Sequence, residues 1–199
     1  MGSRGVVAAR VGASVLVAGL LLAFSAPARA EANEALWSLL RGGGQVVMIR
    51  HAATDRSIGD PPNFRLDDCS TQRNLSDAGR ADAMRIGAAF RARQIPVGRV
   101  LSSQWCRCLE TARLAFGVTE LWEAVNSTFR DKSLEPERTR RVRELLAERP
   151  AQGNLVLVTH QLNIGAAVGV YPAEGELVVV TPLGSGFRVA GRIPPSGLD

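Results

Sequence analysis

The chain has 199 residues, 46% of them hydrophobic, with 24 basic and 19 acidic side chains and a formal charge of +5. That length and composition suit one domain with a real core and exclude a disordered chain. Arg4, Arg10 and Arg29 fall in an N-terminal stretch without acids, so residues 31–199 keep a net charge of only +2, and nucleic-acid binding is not implied. Lys132 is the only lysine. Arginine is the better fork for phosphate or carboxylate, although a GC-rich genome produces the same bias.

Residues 1–30 read as a secretory signal peptide: Arg4 and Arg10, an apolar run from Val11 to Phe24, then Ala28-Arg29-Ala30 before a cut at Glu31. The run falls short of the roughly 20 residues of a spanning helix, so no stable membrane anchor is expected after cleavage. Arg4 and Arg10 are not adjacent, which argues against a twin-arginine signal. A periplasmic or secreted protein with a single domain over residues 31–199 is expected.

The spacing predicts a short amphipathic helix over Asn33–Leu40, broken by Gly42-Gly43-Gly44, and a strand from Gln45 to Arg50. A polar loop follows from Ala52 to Asn74, a length that in compact domains is usually functional or disordered. Ser76 is the N-cap of a helix whose apolar positions Ala83, Ile86, Ala89 and Phe90 recur at helical spacing. Next come a strand over Arg99–Leu101 ending in Ser102-Ser103, a helix over Cys106–Phe116 closed near Gly117, and an extended Val118–Leu121. Pro136–Glu148 is predicted as a charged helix with Val142, Leu145 and Leu146 facing inward. The run Leu155–Thr159 reads as a strand ending at His160, followed by a small-residue helix over Leu162–Val168 and two strands, Glu176–Thr181 and Gly186–Ile193. Alternating strands and helices predict an α/β fold, three-layer α/β/α, with a mostly parallel central sheet and an antiparallel edge from the tail.

Cys69, Cys106 and Cys108 leave three readings open. Cys69 could bridge to Cys106 or Cys108 in an oxidising compartment, or all three could be free thiols. A metal or thiol-redox centre needs more ligands at suitable spacing.

The only two histidines end two buried-strand patterns, Val46-Val47-Met48-Ile49-Arg50-His51 and Leu155-Val156-Leu157-Val158-Thr159-His160. A lone histidine at a strand end is usually a polar cap. Ligands in open α/β sheets bind beyond the carboxyl ends of the strands, however, so two such imidazoles can meet in one pocket.

These features occur in a specific order: Arg50-His51, Leu75-Ser76-x-x-Gly79, Ser102-Ser103-x-x-x-Arg107-x-x-x-Thr111-Ala112, and a strand ending in His160. On those motifs the chain resembles the histidine phosphatase superfamily, with its phosphoglycerate-mutase-like fold, over essentially all of residues 31–199. The resemblance implies a phosphatase that hydrolyses phosphate monoesters through a phosphohistidine on His51 and requires no metal or other cofactor. Arg50, Arg107 and His160 would bind and stabilise the phosphoryl group, with Arg107 in the first turn of a helix whose free N–H groups favour an anion. The other His51 nitrogen would need a fixed backbone carbonyl to hold the reactive tautomer. Thr111 and Ala112 are read as packing residues.

Three departures from the family pattern stand out. Ala52 follows the nucleophile in place of the usual glycine. Gln161 follows the second histidine, where one branch has Asp or Glu, and Ala124-Val125-Asn126-Ser127 offers no acid where the other branch has Glu. The proton donor is therefore unassigned among Asp60, Asp68, Glu123, Asp131 and Glu135. Arg73, Asn126 and Ser127 are either substrate contacts or ordinary loop residues. The substrate could be a small molecule, an envelope sugar or a phosphoprotein. The other class is a non-catalytic module that binds phosphorylated ligands on the same fold.

Overall fold

The computed structural model describes Gly2 and residues 25–198, with side chains from residue 30 onward. Of the signal peptide expected over residues 1–30, all but Gly2 and residues 25–30 lies outside the described residues. The first helix, α1, spans Ser25–Arg41 and so starts before the expected Asn33. Alternate alanines favour the helical state. Among the described residues no helix is long and apolar enough to cross a membrane.

The remaining elements are β1 (Val46–Arg50), α2 (Asp77–Ala92), β2 (Val97–Ser102), α3 (Cys106–Phe116), β3 (Glu120–Leu121), α4 (Glu135–Ala147), β4 (Asn154–Thr159), α5 (Gln161–Val168), β5 (Leu177–Pro182) and β6 (Phe187–Ile193). They follow the expected α/β alternation. The helix over Cys106–Phe116 has the expected bounds, and the strand expected over Arg99–Leu101 extends to Val97 and Ser102.

The strand order is β3-β2-β4-β1-β5-β6. The first four run parallel, and β5 and β6 supply the antiparallel edge. Both faces of the central strands are covered, which is why β1 and β4 read as unbroken apolar runs rather than alternating ones. On one face Val47, Ile49, Val156 and Val158 pack with Trp37, Ile86 and Phe90. On the other, Val46, Met48 and Leu157 pack with Val142, Leu146 and Ile164.

The connection from β1 to α2 crosses the carboxyl end of the sheet. Ser76 caps α2 by accepting from the Gly79 N–H (3.1 Å), and its own N–H donates to the Ala53 carbonyl (3.0 Å). A Cβ on Gly79 would stand 1.9 Å from that carbonyl oxygen, so the helix can start against the exit of β1 only with glycine there. Farther along the loop Phe64 packs on Trp105, ring centroids 4.2 Å apart. Arg130 donates to the carbonyls of Pro61 (2.7 Å) and Asp60 (3.4 Å).

The loop is also tied covalently. Cys69 bridges to Cys106, the first residue of α3, across 37 positions, and Cys108 is free and buried. Closing a loop of that size restricts the unfolded chain by about 2–4 kcal/mol. Cys69→Ser with Cys106→Ser should therefore lower unfolding stability by that amount in urea titrations. Wild type in strong reductant should behave like the variant, whereas equal midpoints would mean that the bridge carries no stability.

Candidate active site

Parallel pairing of β1 with β4 sets Arg50 beside Thr159 and brings the two strand ends level. The ladder continues one bond further, from the His51 N–H to the Thr159 carbonyl (3.0 Å). The two imidazoles meet edge to face with centroids 5.6 Å apart, and both are buried. His51 Nδ1 lies 2.9 Å from the Ala52 carbonyl, an acceptor only, so the proton belongs on Nδ1 and Nε2 keeps its lone pair. The Ala52 N–H in turn donates to Thr111 Oγ1 (3.1 Å), and that hydroxyl donates to the Arg107 carbonyl (2.7 Å). Thr111 thus ties the turn after β1 to α3. Burial, reinforced by Arg107, lowers the His51 pKa to about 3. The imidazole is therefore neutral across the whole physiological range, with the Nε2 lone pair available.

His160 is held in the opposite tautomer. Arg107 Nη2 donates to its Nδ1 (3.4 Å), and its Nε2 sits 2.9 Å from Ser103 Oγ. Ser103 donates its hydroxyl proton to Asn126 Oδ1 (3.1 Å), so His160 Nε2 must be the donor to Ser103. Asn126 Oδ1 also accepts the Gln104 N–H (2.7 Å), and Asn126 Nδ2 donates to Gln104 Oε1 (2.7 Å). Burial and then Arg107 push the His160 pKa well below the usual imidazole value. Cys108 Sγ is 3.5 Å from His160 Nε2, but burial pushes that thiol up to about 12, so it stays protonated.

Three arginines complete the pocket. Arg50 Nη1 donates to the Pro172 carbonyl (3.1 Å), and its Nη2 stands 3.6 Å from Glu174. Arg107 stacks over Trp105 at 4.4 Å and bonds Asp60 Oδ1 through Nη1 (3.0 Å). Arg73 Nη2 reaches the other oxygen, Asp60 Oδ2 (3.2 Å). The Nε atoms of Arg50, Arg73 and Arg107 are all buried without a hydrogen-bond partner. Burial lowers the pKa of Arg50 and of Arg107, and each also senses the positive charge of Arg73. With Arg56 on Glu174 (3.1 Å), four guanidiniums face two carboxylates around two neutral imidazoles, leaving two positive charges uncompensated.

The structure brings together Arg50, His51, Arg107 and His160, and adds Arg73, Ser103 and Asn126 to their network. Of the five carboxylates considered from the sequence, only Asp60 enters it. Asp68 and Asp131 cap short 3-10 turns, Glu123 pairs with Arg141 (2.8 Å), and Glu135 accepts from Thr128 (3.3 Å). Ser127 Oγ accepts the Phe129 N–H (3.5 Å), a local loop contact. The first N–H of α3, on Cys106, is taken by Gln72 Oε1 (3.0 Å), so that one amide is not free for an anion. Gln161 donates to the same Pro172 carbonyl as Arg50 (3.0 Å) and so helps to fix the turn that orients Arg50. Glu174 was not foreseen, because it lies in the entry to β5, and only the antiparallel pairing of β5 with β1 brings it here. Among the described residues no group of three or more His, Cys, Asp or Glu is arranged to hold a metal ion.

Both imidazoles have folded-state pKa values below the unfolded one, so the unfolded chain binds more protons in acid. Stability should fall as pH drops from about 6.5 towards about 3, by at most about 1.4 kcal/mol per pH unit for each imidazole. Urea unfolding between pH 8 and pH 4 checks this. The pH slope of wild type should exceed that of His51→Asn or His160→Asn, and equal slopes would contradict neutral buried imidazoles.

Residues 46–131 match the family model described as histidine phosphatase superfamily (branch 1). No curated protein matches the sequence. Among solved structures, the chain is similar to a variant of phosphoserine phosphatase from Entamoeba histolytica in complex with phosphoserine, at TM-score 0.59 and 13% identity, covering 78% of this chain and 99% of that one. It is also similar to the protein histidine phosphatase SixA complexed with tungstate (TM-score 0.55, 15% identity, 78% and 99% covered). The α-ribazole phosphatase from Shigella flexneri is a third (TM-score 0.55, 14% identity, 73% and 94% covered). With the strand order and the paired strand-end histidines, these likenesses establish an α/β fold of the histidine phosphatase type.

Proposed function

We propose that the protein is an exported phosphatase that hydrolyses phosphate monoesters through a phosphohistidine on His51. The observation that carries the proposal is the pairing of a neutral His51 Nε2 with three buried, unpartnered arginine Nε–H donors. A phosphoryl dianion matches both the orphaned donors and the two uncompensated charges. The solved structures similar in fold include proteins named as phosphatases of phosphoserine, phosphohistidine and α-ribazole phosphate, and this supports the same reaction class. Export rests on the composition of residues 1–30.

In the first step the His51 Nε2 lone pair forms a bond to phosphorus as the bond to the leaving oxygen breaks. The Nδ1–H bond to the Ala52 carbonyl stabilises the positive charge that develops on the ring. Arg50 and Arg107 hold the non-bridging oxygens, so reaction needs little reorganisation. An arriving dianion favours protonation of His160 Nδ1 and turns it from an acceptor of Arg107 into a donor to phosphate. Water then attacks phosphorus, the P–N bond breaks, and the electron pair returns to Nε2. A small-molecule phosphate, an envelope sugar phosphate and a phosphoprotein all present the same group to this pocket.

The test is turnover of p-nitrophenyl phosphate with chelator present, together with mass spectrometry of acid-quenched protein. Wild type should carry a phosphate on His51, and His51→Ala should lose at least about 10³-fold in turnover and all of the adduct. Folded wild-type protein that binds phosphate yet forms no adduct and turns nothing over would instead be a phospho-ligand binding module.

A further inference from the structure

We propose that Asp60 is the proton donor to the leaving group, and that it takes up this proton from solvent as substrate binds. The inference rests on the phosphohistidine reading above and assigns the role which the family pattern leaves empty at Gln161 and at Ala124–Ser127.

Asp60 is held by the same two guanidiniums that offer unpartnered Nε–H groups to a phosphate. Arg107 Nη1 bonds its Oδ1 at 3.0 Å and Arg73 Nη2 faces its Oδ2 at 3.2 Å, while the Nε of each arginine is orphaned and buried. A phosphate bound by those Nε–H groups would share two arginines with the Asp60 carboxylate. Without substrate, both carboxylate oxygens of Asp60 are paired with arginine. When a phosphoryl dianion takes over both arginines, the carboxylate is left beside two further negative charges, and its neutral acid form is favoured. Charged groups reach it from each side: Arg107 from α3, Arg73 from the end of the loop, and Arg130, whose guanidinium bonds the Asp60 and Pro61 carbonyls.

Glu174 is the other carboxylate at the site, and its surroundings differ. It accepts from Thr54 Oγ1 (3.2 Å) and pairs with Arg56 (3.1 Å) as well as with Arg50. Arg56 is 81% exposed and lies outside the arginine triad, so Glu174 keeps two partners when phosphate engages Arg50. It remains an anchor for Arg50 and Arg56. Only Asp60 shares both of its counter-charges with the substrate.

The proton balance closes over the cycle. Asp60 gives its carboxyl proton to the leaving oxygen as the His51 Nε2–P bond forms and the P–O bond breaks. The resulting carboxylate then takes a proton from the water that attacks phosphorus, and the P–N bond breaks.

The experiment is rapid-quench measurement of phospho-His51 formation in single turnovers, using p-nitrophenyl phosphate, whose phenolate leaves unaided, and a primary alkyl phosphate, whose alkoxide does not. Asp60→Asn should slow phosphorylation by the alkyl ester about 10²–10⁴-fold and by the aryl ester less than about tenfold. Glu174→Gln should slow both esters alike. An equal loss on both esters in Asp60→Asn, or no loss on the alkyl ester, overturns the assignment. So does a leaving-group-dependent loss confined to Glu174→Gln. If wild type forms no phospho-His51 with either ester, the phosphatase reading falls together with this one.

Discussion

The site depends on one pairing, the parallel register of β1 against β4. It sets Arg50 level with Thr159, and the extra bond from the His51 N–H to the Thr159 carbonyl carries the alignment one residue past the ladder. A slip by one residue would turn every side chain of a strand to the opposite face. Here both faces are buried, so two cores resist it: Val47 and Ile49 on one side, Val46 and Met48 on the other. The same sheet aligns β2, where the Ser103 N–H donates to the Val158 carbonyl. Ser103, His51 and His160 therefore emerge side by side from three adjacent strands.

What that frame supports is electrostatically unfavourable in isolation. Arg50, Arg73 and Arg107 are crowded together, and the pKa of both His51 and His160 is lowered. Desolvating guanidiniums beside one another opposes folding, and carboxylates relieve only part of it. Perturbed groups of this kind cluster at functional sites. The surroundings are correspondingly well braced. Trp105 carries Arg107 on one face and packs against Phe64 and Phe129, Arg130 ties down the turn at Asp60, and the Cys69–Cys106 bridge anchors the loop beside Arg107.

Much of this was legible in the sequence, because the relevant signals are local. Apolar runs ending in Arg50-His51 and Thr159-His160 marked two strand ends. Ser76 before a helical repeat marked an N-cap, and Ser102-Ser103 ahead of Arg107 marked a strand-to-helix turn. The helix over Cys106–Phe116 appears with the expected bounds because Gly117, at φ 81°, closes it by backbone geometry alone. The earlier start of α1 was missed because residues up to Ala30 read as a signal peptide, which set the first helix of the domain at Asn33.

Other features were decided only when distant segments met. Gln72 is a polar loop residue until α3 brings the Cys106 N–H to it, and Cys69 had two candidate partners until the same helix placed one within reach. Five carboxylates had equal claims in the sequence, and one of them stands between two arginines 13 and 47 positions along the chain. Glu174 enters the site through an antiparallel pairing with no counterpart in any local motif. The sequence by itself determined which strands form, where they end and which side chains stand at those ends, because periodicity and capping act over a few residues. Which charges are paired, which donors are left over and which acid faces them was decided by tertiary structure, because Coulombic and hydrogen-bonding partners are chosen by distance in space.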